Sequence, residues 1–220
     1  MLTFLKNLAD NTKAGSLADR LRKKRFALFL EVLAGMPKPI RIIDVGGTEL
    51  FWERMGFIGV EGVHITLLNL VETEVRHQGF ISVQGDGTDL SRYNDKEFDM
   101  AFSNSVIEHV GSLDDQRKMA SEIRRVARRY FVQTPNRYFP LEPHFLFPFF
   151  QFLPDWLQVR LLMNFSLGWY RKTPDKEKAH RICRSIRLLS RAELCMLFPR
   201  AEIHKESFFG CTKSFIVLGE

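Results

Sequence analysis

The chain has 220 residues, 45% hydrophobic and 26% charged, which suits one sizeable domain with its own core and excludes two ordinary ones. That balance excludes a disordered or low-complexity chain and fits a soluble globular protein. The formal net charge of +6 fits an anionic ligand or a membrane surface and is not by itself a nucleic-acid signature.

Cys183, Cys195 and Cys211 are odd in number and lack metal-type spacing. The expectation is reduced, buried thiols in a cytoplasmic protein. The start, "MLTFLKNLADNTK", has no apolar run long enough for a secretion signal, which again predicts the cytoplasm.

In chain order, "SLADRLRKKRFALFLEVLA" (16–34) predicts a helix. Leu17, Leu21, Leu28 and Val32 recur at helical spacing, and Gly35 and Pro37 stop it. The run Arg22-Lys23-Lys24-Arg25 reads as its solvated face, with an anionic-lipid patch as the second option. Five short apolar runs follow: "IRIIDVG" (40–46), "HITLLNL" (64–70), "FISVQGD" (80–86), "FDMAFSNS" (98–105) and "RYFVQTP" (129–135). Such continuous runs suit strands buried on both faces of a parallel sheet. Between the last two, Met119, Ile123, Val126 and Ala127 form one apolar stripe of a crossover helix. Alternating β and α units imply a doubly wound α/β sandwich. A helix from about Ser190 to Leu197 and two closing strands, "RAEIHKESFFG" and "KSFIVLGE", add an antiparallel hairpin to the sheet.

In an open parallel sheet ligands bind beyond the carboxyl ends of the strands, near the point where strand order reverses. Asp44, Gly46 and Gly47 sit at the end of the first strand, and glycine lets backbone approach a ligand and take positive φ. A dinucleotide fold would use G-x-G-x-x-G with an acid ending the next strand. Here the second glycine is adjacent, the third is missing and the second strand ends at Asn69, so NAD is a poor fit. The third strand leads into "QGDGTDL", whose Asp86 can accept from an exocyclic amine. The fourth ends in "FDMAFSNSVIEHV", with Ser103, Asn104 and Ser105 at its mouth and Glu108 and His109 one turn beyond.

On "IIDVGG", "GDGTDL" and above all "FDMAFSNSVIEHV", the chain resembles the class I S-adenosylmethionine (SAM)-dependent methyltransferases, in the small-molecule branch that includes ubiquinone-biosynthesis-type enzymes. The resemblance covers roughly residues 39–135. It implies a Rossmann-like, mostly parallel seven-stranded sheet with a closing antiparallel hairpin, and SAM as cofactor. It places Asp44, Gly46 and Gly47 around the amino-acid end of SAM. Asn69 occupies the position of the family's usual ribose-binding acid, where an amide bonds as a neutral group, with Glu72 a nearby substitute. Asp86 would read the adenine amine, Gly87 leaving room for the ring, and Ser103 and Asn104 would lie by the methionine. The Gly46-Gly47-Thr48 turn departs from the family's commoner G-x-G.

A sulfonium methyl is already activated, so catalysis rests mainly on alignment, which can be worth roughly 7–11 kcal/mol. An acidic acceptor must also lose a proton. His109 is the expected base, since an unperturbed imidazole titrates at about 6.5, and Glu108 can orient it or face a helix terminus; closing the turn is the competing structural role of His109.

Residues 138–170, "YFPLEPHFLFPFFQFLPDWLQVRLLMNFSLGWY", break the α/β pattern where this family often carries a substrate-covering insert. The expected layout is therefore a single domain over 1–220, with an N-terminal helical segment over 1–38 and the insert over 138–172. Tyr138, Glu142 and His144 are the substrate-binding candidates. Glu142 and His144 can contact an acceptor or supply another base, or they can form an ion pair bracing the proline-bound loop. Pro148, Pro154, Asp155 and Arg160 interrupt the apolar run, which excludes a spanning helix of about 20 apolar residues. A lid over the acceptor is favoured, then contact with a membrane interface through Trp156 and Trp169, then a dimer contact. His180 and Arg181, after "KTPDKEK", are read as a solvated loop.

The expected function is methyl transfer to a small-molecule or lipid-like acceptor at oxygen, nitrogen or carbon, by a monomer or homodimer. The alternatives are an NAD(P)-dependent oxidoreductase and a membrane-associated, non-catalytic SAM-binding module. A nucleic-acid acceptor is disfavoured, because Ser105 follows Asn104 where base-amino methyltransferases carry a proline-aromatic signature. No ligand cluster in the sequence argues for a metal.

Overall fold

The computed structural model describes residues 16–220; the opening stretch read for a secretion signal, 1–13, lies outside them. Helix α1 (Leu17–Ala34) starts at Ser16, whose hydroxyl accepts from Asp19 N at 3.0 Å. Its buried face is Phe26, Phe29 and Leu33, not the expected stripe, of which Leu28 and Val32 are only half-buried. The phenylalanines prevail because they bury more surface and enter an aromatic cage. Phe29 meets Phe102 with centroids 4.8 Å apart and Phe131 at 5.5 Å.

Five strands follow: β1 (Ile40–Val45), β2 (Val63–Asn69), β3 (Phe80–Gln84), β4 (Phe98–Asn104) and β5 (Ala127–Pro135). A two-residue ribbon, β6 (Leu141–Glu142) and β7 (Phe147–Pro148), precedes the closing strands β8 (Glu202–Phe208) and β9 (Cys211–Gly219). The seven-stranded sheet runs β3-β2-β1-β4-β5-β9-β8. Neighbours among β1–β5 are parallel, and β9 is antiparallel to β5 and β8. This is the expected Rossmann-like methyltransferase fold, and its strand order reverses between β1 and β4, where Asp44 pairs in register with Phe102.

Helix α2 (Glu49–Arg54) packs with α1 on one face, where Trp52, Ile42, Ile65, Leu67 and Phe131 are buried. Helices α3 (Leu113–Val126), α4 (Asp155–Asn164), α5 (Lys176–Arg184) and α6 (Arg191–Leu197) complete the chain. Ser112–Asp115 and Ser190–Glu193 capping boxes start α3 and α6. Each satisfies helix N–H groups that would otherwise lack partners. Met119 and Ile123 of α3 and Leu194 of α6 fill the sheet's other face.

The segment after β5 has its own core of Phe145, Phe150, Val159, Leu162, Leu167, Ala179 and Cys183. His180 and Arg181 lie on α5 rather than in a loop: Asp175 caps that helix, accepting from Lys178 N at 2.6 Å. Of the thiols expected to be buried, only Cys183 is; Cys195 and Cys211 are exposed. Among the described residues no helix is long and apolar enough to cross a membrane.

Candidate active site

The doubled glycine turn is shaped by Asp44. Gly46 has φ +80°, and a Cβ there would lie 2.5 Å from Val106 Cγ2. A Cβ on Gly47 would lie 1.6 Å from Asp44 Oδ2, so no side chain fits at that position. Asn69 Nδ2 donates to Gly47 O at 2.8 Å, which ties the turn to the end of β2. Trp52 Nε1 donates to Asp44 Oδ2 at 2.7 Å. Asp44 Oδ1 is buried without a partner. Burial pushes the Asp44 carboxyl up to about 7, against the lowering effect of the Trp52 bond.

Asp44, Gly46, Gly47 and Thr48 open onto a cavity of about 800 Å³. Asn104 and Gln133 line it from β4 and β5, Ser105 and Glu108 from the turn after β4, and Phe139, Leu141, His144, Leu146 and Trp169 from the insert. A mostly apolar concavity with a few convergent polar groups is the usual form of a small-molecule site.

At the insert side the Glu142 carboxylate, only 2% exposed, accepts from His144 N at 2.8 Å and Phe145 N at 2.6 Å and contacts His144 Nδ1 at 2.7 Å. Burial lowers the His144 pKa, but the bond to Glu142 and the Glu142 and Glu108 charges outweigh it, and the net shift is upward. Glu108 Oε2 accepts from Thr134 Oγ1 at 2.9 Å, while Oε1 is buried without a partner. Burial raises the Glu108 pKa despite the His144 charge. The His109 and His144 rings meet edge to face at 4.8 Å. Crowding of its ring, and then the neighbouring His144, push His109 down to about 4, although the residue as a whole is exposed.

The other expected site residues sit apart from this cavity lining. Ser103 is fully buried and donates to Val45 O at 3.1 Å. Asp86 is exposed and accepts from Thr88 N and Oγ1 at 2.9 and 2.8 Å, closing its own turn. A Cβ on Gly87 would lie 2.7 Å from Val45 Cγ1, so that glycine allows close packing at the end of β1. Glu72 is exposed. Tyr138 is 65% exposed and stacks on Phe152 with centroids 6.0 Å apart.

Arg25 belongs to the site, contrary to the reading of its basic run as a solvated face; Lys23 and Lys24 alone are exposed. Its Nη1 donates to Asn104 Oδ1 at 2.5 Å, and Nε and Nη2 grip the Glu206 carboxylate at 3.1–3.3 Å. Lys213 joins Glu206 at 3.6 Å. The helical position of Arg25, one residue before the buried Phe26, was the available signal. Nothing in the local pattern pointed to Glu206 or Lys213.

Residues 46–130 match a family described as a methyltransferase domain. The chain is similar to a methyltransferase domain over that stretch, which runs from the glycine turn into β5 and covers less than half of its length. Its fold is similar to that of the CurJ carbon methyltransferase, with a TM-score of 0.60 and 12% identity, covering 96% of this chain and 56% of that one. A SAM-dependent methyltransferase from Aquifex aeolicus superposes with a TM-score of 0.50 and 13% identity, over 99% of this chain and 97% of that one. At these identities the likeness concerns the fold alone. The uncharacterised protein Rv1509 of Mycobacterium tuberculosis (strain H37Rv) is 40% identical over 57 residues, 26% of this chain. The matching segment spans only 20% of that relative's length. For a methyltransferase domain the implied cofactor is SAM, and the residues fit it: the unpartnered Asp44 Oδ1 suits a cationic or hydrogen-donating group, and Asp44, Gly46 and Gly47 all line the cavity.

Proposed function

We propose that the domain transfers a methyl group from SAM to a small-molecule or lipid-like acceptor seated in the cavity, in the cytoplasm. The observation that carries this reading is Asp44 Oδ1, a buried carboxylate oxygen without a partner beside a turn too tight for any side chain. When bound, SAM supplies an activated sulfonium methyl.

The chain supplies position and exclusion of water. Asp44, Gly46 and Gly47 hold the amino-acid end of the cofactor, and Asn104, fixed by Arg25, borders it. Asn69 acts through Gly47 O, as a positioning residue for the turn. Asp86 and Gly87, beyond β3, remain our assignment for the adenine end. Phe139, Leu141, Leu146 and Trp169 give the acceptor apolar walls, and the insert that carries them acts as the lid.

The acceptor's reacting atom lies at the Glu108–His144 wall in this reading. An imidazole at its ordinary value would make His109 the base. With its ring pushed down to about 4, His109 is a weak proton acceptor and a ready neutral lone-pair donor, and we do not give it the acceptor's proton.

Calorimetric titration with SAM tests the proposal, followed by transfer of labelled methyl across a panel of small and lipid-like acceptors. Binding weakened on Asp44→Asn supports it. A folded chain that takes up no SAM overturns it.

A further inference from the structure

We propose that Glu108, His109 and His144 form a binding site for a divalent transition-metal ion in the wall of the cavity. One ligand atom from each of the three lies within 4.8 Å of the others. Ligands held at about 2.0–2.2 Å from one ion stand up to roughly 4 Å apart, so small side-chain rotations close the set. The residues come from two separate elements, the 3₁₀ turn Ile107–His109 after β4 and the loop between β6 and β7.

Two details point to a ligand rather than to a brace. Glu108 Oε1 is fully buried and unpartnered, although Oε2 of the same carboxylate is satisfied by Thr134. His144 has Nδ1 committed to Glu142 at 2.7 Å, which leaves Nε2 as its free nitrogen. A carboxylate behind the far nitrogen of a histidine is the usual support of a metal-bound imidazole. An ion pair that only braced the ribbon would explain Glu142 and His144 but not the orphan oxygen of Glu108.

The turn is also held rigidly. Gln116 Nε2 donates to Ile107 O at 2.9 Å, and Arg187 N donates to Glu108 O at 2.8 Å. Two imidazoles and one carboxylate suit zinc, iron(II) or cobalt rather than magnesium or calcium, which prefer all-oxygen sites. Glu108 and His144 line the cavity, so the remaining coordination positions face an acceptor. An acceptor oxygen bound there would lose its proton more readily. That consequence rests on the methyl-transfer reading; the metal site does not.

The test is titration of the metal-stripped full chain with Co²⁺, read by the visible absorbance of histidine-bound cobalt. About one equivalent should bind to a single three-residue site. His144→Gln and His109→Gln should each abolish the signal, and Glu142→Gln should weaken binding about 10–100-fold. Because Glu142 also holds two backbone N–H groups, thermal melting checks that variant, and the exposed His109 provides one that keeps the fold. No cobalt uptake, or uptake unchanged in the His109→Gln/His144→Gln double variant, overturns the proposal. SAM binding by the stripped protein without cobalt uptake removes the metal site alone. Cobalt uptake without SAM binding removes the methyl-transfer reading alone.

Discussion

Trp52 Nε1 donates to Asp44 Oδ2 at 2.7 Å, and Oδ1 of the same carboxylate has no partner. One oxygen of this buried carboxyl is satisfied by the protein and the other is not. The pKa of about 7 is the measurable trace of that arrangement.

The sign of its effect on stability follows directly. A carboxyl raised above its unfolded value of 3.8 favours the folded state fully below that value and loses the contribution as pH rises through about 7. The span corresponds to roughly 4 kcal/mol, an order-of-magnitude figure. Urea unfolding of the ligand-free protein and of Asp44→Asn across pH 4 to 8 (about the titration window) should show wild type losing stability relative to the variant. Parallel curves would remove Asp44 as the cause.

The same group should make cofactor affinity depend on pH. A protonated Asp44 must release its proton to meet a cation, so SAM should bind more weakly below pH 7 by up to tenfold per unit (about 1.4 kcal/mol). Asp44→Asn should bind about 30–100-fold more weakly at pH 8, from the loss of a buried charged contact, and should show a flat profile. Calorimetry in buffers of different ionisation enthalpy reads both the affinity and the proton released.

Gly47→Ala should place a methyl group on the Asp44 carboxylate and displace it from Trp52. We expect a loss of about 1–3 kcal/mol of stability from overpacking, with SAM affinity down at least about tenfold for a shift of 1.4 kcal/mol or more. Gly56→Ala is the control. Gly56 has positive φ, +68°, but nothing within 4 Å of the added carbon, so stability should fall by roughly 1–2 kcal/mol with SAM affinity unchanged.

Glu206 balances Arg25 and Lys213 in a largely buried cluster. Burial alone would raise its pKa, but the Arg25 and Lys213 charges outweigh that and hold it below the usual carboxylate range. Its contribution is therefore present above about 4.5 and lost as the pH falls below. Glu206→Gln should cost about 3–5 kcal/mol at neutral pH, the typical result of leaving a buried cation uncompensated. A melting temperature within a degree or two of wild type would refute this.

What was legible in the sequence follows from how locally each feature is encoded. The five parallel strands announce themselves as apolar runs, and the Asp44-Val45-Gly46-Gly47 ending marks the mouth of β1 because only a close approach requires adjacent glycines. Leucine spacing does not give the buried face of α1, because the larger Phe26 and Phe29 decide the packing. The helix at Lys176–Arg184 was hidden by its charged first turn, although Asp175 is an ordinary N-cap. The contact between His109 and His144 joins the turn after β4 to the loop between β6 and β7, and no local periodicity encodes that. Arg25 illustrates the same limit: a basic run does not reveal which of its members turns inward.

The bond from Arg25 to Asn104 spans 79 positions of sequence, and the one from Arg25 to Glu206 spans 181. A chain emerging from the ribosome therefore carries Asn104 and Arg25 long before Glu206, the counter-charge of Arg25, exists. Until the last hairpin is synthesised and docked, Arg25 has no carboxylate to hold it against the central strand. Tight capture of the cofactor's amino-acid end by a chain without a docked β8–β9 hairpin should fail for that reason, and cofactor retention becomes a report on whether that hairpin has docked.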